Sequence, residues 1–200
     1  RQAAGIIAAI QKEFAPYGLI VHVPVVKPWR RPSFQVDGIL RDIASRPLDP
    51  HVDRIFALVG RDVRDFLWGA VLPEVLGAVE TRTHTKGFVV AEMGSLNQLL
   101  SFRSPAAAAV HEFYHLLGCA HGDDSQAIVA KIARLKRLAV ENRQSGRDFF
   151  PGIGSQGRIY LSRRAVDRQF GLAASQPVAD ILTAASLDRP VDGAGQDIVQ

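Results

Sequence analysis

Residues 104–121, SPAAAAVHEFYHLLGCAH, constrain the fold of this chain more than any other stretch. Ser104 offers a hydroxyl to cap a helix and Pro105 suits the first helical position, while Gly118 is placed to end that helix. The segment therefore predicts a helix of about three turns. On it His111 and His115, four positions apart, project from one face one turn apart. Glu112 follows His111 and points about 100° further round, close to anything the two imidazoles hold but outside its ligand shell. Gly118 then lets the chain reverse sharply, through a left-handed conformation, and return His121 as a third ligand.

Three neutral imidazoles leave a fourth position open, the ligand set of a catalytic zinc rather than of a closed structural site, which usually draws on cysteines. The expected cofactor is one Zn²⁺ held by His111, His115 and His121, with Glu112 as the base that takes a proton from water on the metal. At this chain's own frequencies of His, Glu and Gly, a chance match to all five fixed positions is on the order of 10⁻⁵, so coincidence is a weak competitor.

The rest of the chain reads as mixed α and β structure. Ile6, Ile7, Ile10 and Phe14 give residues 2–14 the stripe of an amphipathic helix, punctuated by APYG. LIVHVPVV (19–26) is β-branched and bounded by turn residues, which predicts a strand, with Pro24 placing it at an edge or a bulge. KPWRRPSF follows as a loop, and QVDGILRDIASRP as a short helix ended by Pro47. RIFALVG (54–60), a continuous apolar run, reads as a central strand covered on both faces. VLGAVE (75–80) and GFVVAE (87–92) read as strands joined by TRTHTK, so at least four strands precede the histidines. Residues 123–144 predict a helix of about five turns, opened by Asp123 and Asp124 as caps. SGRDFFPGIGSQG (145–157) reads as a loop, RIYLSRRAVDRQF (158–170) as a strand and turn leading to a helix.

Composition narrows the function classes. With 47% hydrophobic and 22% charged residues the chain is globular, and its apolar runs are far too short to span a bilayer. Net charge is +4 and pI about 9.6, yet the basic residues are dispersed among acids and carry no nucleic-acid motif, so neither a nucleic acid nor a membrane is an expected partner. Cys119 is the single cysteine, which excludes an intramolecular disulfide and fits a reducing compartment; the missing initiator Met leaves a processed, secreted origin open.

HEFYHLLGCAH (111–121) resembles the zinc-binding signature of the metzincin clan of metallopeptidases, and the preceding order of strands is similar to the upper half of a metzincin domain. The likeness covers about residues 19–145 and is nearest to the archaemetzincins. It implies an α+β zincin fold: a twisted mixed sheet, an active-site helix and a helical C-terminal part, in a catalytic domain over 1–175 with a partly helical tail over 176–200. It also implies hydrolysis of a peptide or protein substrate by a zinc endopeptidase; a monomer is expected. The substrate would lie antiparallel to an edge strand, for which 87–92 is the candidate, with an interior strand as the alternative. The chain departs from the archaemetzincin pattern where its second-zinc cysteines fall, at Gly122, Ala127, Arg147 and Phe150, and where its Met-turn methionine falls, at Val129; Met93 is the only methionine.

Some roles stay open. Tyr114 and Tyr160 are candidates for stabilising an oxyanion, against core packing. Cys119 reads as a small buried residue rather than a ligand, and His22, His51 and His84 as structural or exposed histidines. Asp123 is a candidate to orient His121 through a hydrogen bond. The rival class is a zinc-binding module of the same fold that does not hydrolyse peptides.

Overall fold

The computed structural model describes residues 2–49, 51–60, 75–91, 104–144, 152–153, 158–160, 162–172 and 181–182. Helix α1 (Gln2–Phe14) forms because Ile6, Ile10 and Phe14 recur at four-residue spacing and all three are buried. A 3₁₀ turn (Ala15–Tyr17) ends it. Helix α2 (Val36–Ala44) buries Ile39 and Ile43 by the same logic.

Three strands follow: β1 (Ile55–Val59), β2 (Gly77–Val79) and β3 (Lys86–Val90), in the lateral order β1-β3-β2. β1 runs parallel to β3, with Ile55 opposite Lys86 and Val59 opposite Val90; β2 is antiparallel to β3, with Gly77 opposite Val89. The β2–β3 turn is fixed by the buried Glu80 carboxylate, which accepts from the backbone N–H groups of Arg82, Thr83 and Thr85 at 2.8–3.0 Å.

Alternation along β3 puts Phe88 and Val89 on opposite faces of the sheet. Phe88 meets Ile39, Ile43 and Val59, so α2 covers one face; Val89 meets α1, helix α3 (Pro105–Leu116) and helix α4 (Ser125–Gln144) through Ile10, Ala109 and Ile132. The protein is thus mixed α and β, with the histidine helix laid against the sheet as expected. In the C-terminal part, among the described residues, the expected strand and helix over 158–170 are present: helix α5 (Arg163–Gln169) stands beside a small antiparallel sheet of β4 (Gly152–Ile153), β5 (Ile159–Tyr160) and β6 (Ile181–Leu182). Within the tail expected to be partly helical, the two described residues are that strand, and 152–153, expected in a loop, also pair.

Two strand expectations fail for physical reasons. Residues 19–26 form no ladder among the described residues: Ile20 is 94% exposed, Pro24 has no N–H to give, and the hydrogen bonds to α1 run from Leu19 N–H to the Phe14 carbonyl at 3.2 Å and from Gln11 Nε2 to the Val21 carbonyl at 2.9 Å. Three strands therefore precede the histidines among the described residues, not four. Among the described residues β1 pairs with β3 alone and so lies at the edge, with β3 at the centre. An uninterrupted apolar run reports cover on both faces, and β1 has it, since Ile55 and Ala57 pack toward α2 while Phe56 and Leu58 pack toward α1 and α3. Cover on the faces says nothing about neighbours at the sides.

Candidate metal centre

The centre is assembled by α3 and the turn after it. Ser104 Oγ accepts the Ala107 N–H at 3.1 Å and Pro105 occupies the first turn, the start that the sequence predicts. At the other end Gly118 adopts φ 83°, where a side chain is strained, and its N–H donates to the His115 carbonyl at 2.9 Å. Arg54, just before β1, closes the same end by donating from Nε to the Leu116 carbonyl at 3.0 Å. Burial pushes its guanidinium down to about 10, still cationic at neutral pH, and a cation suits a helix C-terminus.

Helix and turn bring His111, His115 and His121 together. Nε2 of His111 lies 3.1 Å from Nε2 of His115 and 3.3 Å from Nε2 of His121. One ligand nitrogen from each of the three lies within 4.8 Å of the others, so the trio can hold a metal ion. Three imidazoles bound tetrahedrally at the usual Zn–N length of about 2.0–2.1 Å have nitrogens about 3.3 Å apart, which these distances match. His115 Nδ1–H donates to the Cys119 carbonyl at 2.7 Å, which leaves Nε2 of the neutral ring as a lone pair facing its neighbours. Burial lowers the His115 pKa, and His121 and His84 add to that against the Cys119 carbonyl and Asp123. Lone pairs converging at this distance repel one another unless a cation sits between them.

Glu112 lies on the adjoining face of α3. It is only 8% exposed and makes no hydrogen bond or ion pair with a described residue; burial pushes its carboxyl up to about 7. Its side chain rests against β2 at Gly77, where a Cβ would come within 2.5 Å of Glu112 Cγ.

The neighbouring candidates sort differently. Asp124 Oδ1 caps α4 through the Ala127 N–H at 2.8 Å. Asp123 does not cap it: Oδ2 takes Lys131 Nζ at 2.5 Å and the Ala120 N–H at 2.7 Å, clamping the residue before His121 rather than His121 itself. Those two donors hold its carboxyl below the usual range, Lys131 first. Tyr114 turns toward α1, donating to Glu13 at 2.6 Å and packing on Phe14, and the buried Tyr160 donates to Gln169 at 3.0 Å. Neither hydroxyl is directed to the histidines. Cys119 is buried and burial pushes its thiol up to about 11, so its carbonyl, not its sulfur, serves the centre. His22 and His51 are exposed, whereas His84, half-buried at φ 54° in the β2–β3 turn, is near enough to act electrostatically on His115.

Gly77 is the residue that sequence reasoning passed over, and His84, read as structural or exposed, stands near His115; nothing local marks either one. Only the β2–β3 hairpin, lying along α3, brings them to the centre. Compared with protein-family models, with curated proteins and with solved structures, the chain matches none.

Proposed function

We propose that the protein is a zinc-dependent endopeptidase of metzincin type. The observation that carries this reading is the pairing of three converging histidine Nε2 atoms with a buried, unbonded carboxylate, Glu112, one residue along the same helix. A non-catalytic metal site has no use for a largely buried carboxylate that makes no hydrogen bond or ion pair with a described residue. His111, His115 and His121 are the ligands, and three neutral nitrogens suit zinc.

A zinc ion held by His111, His115 and His121 would supply Lewis acidity toward a water molecule and the substrate carbonyl. Glu112 takes the proton from the attacking water and gives it to the departing amine, a task favoured by a carboxyl whose affinity for protons is already raised to about 7 by burial. The peptide adds as a strand at the sheet edge beside Glu112. That edge is β2, which pairs with β3 alone among the described residues; residues 87–90 of the candidate 87–92 lie in β3, which is paired on both sides, and residue 92 lies outside the described residues.

The test is zinc content measured beside cleavage of a mixed peptide library, with and without chelator. About one zinc per chain and chelator-sensitive cleavage are expected, and Glu112→Ala is expected to keep the metal while cutting turnover by about 10²–10⁴-fold. One zinc without any cleavage would replace the peptidase by a zinc-binding module, and full activity in Glu112→Ala would remove Glu112 as base.

A further inference from the structure

Glycine at position 77 is not explained by backbone conformation. Gly77 lies within β2 opposite Val89, and its φ is outside the left-handed region, so any residue could adopt it. Room is what the position lacks. A Cβ would stand 2.5 Å from Glu112 Cγ, 2.9 Å from Glu112 Cδ and 2.8 Å from the Phe88 carbonyl oxygen, all under the 3.0 Å that real Cβ atoms respect.

The consequence for Glu112 follows from what it lacks. Among the described residues it has no hydrogen-bond or ion-pair partner to orient its carboxylate, and its side chain packs on the bare backbone of β2 at Gly77. A methyl group there forces the side chain into another staggered rotamer or pushes α3 off the sheet. We propose that Gly77 is a positioning residue: its missing side chain makes β2 the seat that holds Glu112 in place on the helix carrying His111 and His115. The inference rests on the peptidase reading for its effect on turnover, but the contact itself does not.

Gly77→Ala, Glu112→Ala and the double variant test both parts in the full chain. If the peptidase reading holds, Gly77→Ala lowers kcat at least about tenfold with KM within about twofold, because misplacement of a base by about 1 Å or more costs turnover and not binding. Zinc affinity stays within about threefold of the parent, since the three histidines keep their places. Wild-type kcat in Gly77→Ala overturns the proposal.

Denaturant unfolding supplies a readout independent of activity. Truncating Glu112 removes Cγ and Cδ, so the rise in the unfolding equilibrium constant caused by Gly77→Ala is expected to be at least about tenfold smaller in the Glu112→Ala background. Folding of Gly77→Ala only when Glu112 is truncated is the extreme form of the same result. Equal effects in both backgrounds, or failure to fold in both, would assign the glycine to the Phe88 carbonyl contact and overturn the proposal. An inactive parent that still shows the coupling would sink the peptidase reading while leaving the Gly77–Glu112 seat intact.

Discussion

Residues 104–121 and residues 19–34 are similar in length and opposite in how they are determined. The first is specified almost entirely by its own residues: Ser104 caps it, Pro105 starts it, Gly118 stops it and the Cys119 carbonyl orients His115. The second has strong β-forming residues but depends on others for its place. Its apolar half, 19–26, finds no ladder among the described residues. Its polar half is tied to α2 and to the chain after it, by Trp29 Nε1 donating to Asp42 at 2.8 Å and by Lys27 paired with Asp49 at 2.6 Å. A helix satisfies its backbone hydrogen bonds internally, whereas a strand must borrow them from a neighbour.

The largest effect expected from breaking the contrast is at Gly118. A Cβ in the left-handed region costs about 1–2 kcal/mol, and the chain can escape it only by changing the turn that returns His121. Gly118→Ala should therefore lower stability by that amount and weaken zinc binding at least about tenfold, read by denaturant unfolding and by competition with a chromophoric chelator. Parental zinc affinity in this variant would show that the turn is not what places the third ligand.

That same contrast explains how much was legible. Helices α1, α2, α3 and α4 follow from spacing because the residues that make the stripe, such as Ile6, Ile10 and Phe14, are neighbours on one turn after another. The three histidines that can hold a metal ion are legible for the same reason. The lateral order β1-β3-β2 is not, because Ile55–Val59 would carry the same residues at an edge or at the centre. The seat of Glu112 is legible least of all. Gly77 lies on a strand distant in sequence, and its role is an empty volume, which leaves no trace in composition or period.

A smaller effect is expected where the second region is tied down. Asp42 accepts from Trp29 and from Arg46; burial raises its pKa, but these donors more than offset that and hold it below the usual carboxylate range. A depressed folded pKa means stability that is present above the unfolded value, near 3.8, and is lost as pH falls through the lower folded value. Acidification below about pH 4 should thus release the Trp29 indole, seen as a shift in its fluorescence in a Trp68→Phe background. Asp42→Asn should flatten that transition, and a transition unchanged by Asp42→Asn would place the acid-sensitive group elsewhere.

The smallest effect expected is at the apolar tip of the second region, and it is the sharpest check on the comparison. Ile20 is 94% exposed and Val26 83%, so each meets water in the folded chain much as it does in the unfolded one. Replacing either by serine removes no packing and breaks no ladder, and the change in unfolding free energy should stay within about 0.5 kcal/mol. Ala109 of α3, with no exposed surface, lacks that tolerance: a serine there buries a hydroxyl against Ile10 and Val89, at about 1–3 kcal/mol. A loss above about 1 kcal/mol for Ile20→Ser and for Val26→Ser would mean that 19–26 is buried as a strand after all. The physical lesson would then reverse, because β1 would gain a neighbour on its open side and become the interior strand that its unbroken apolar run suggests.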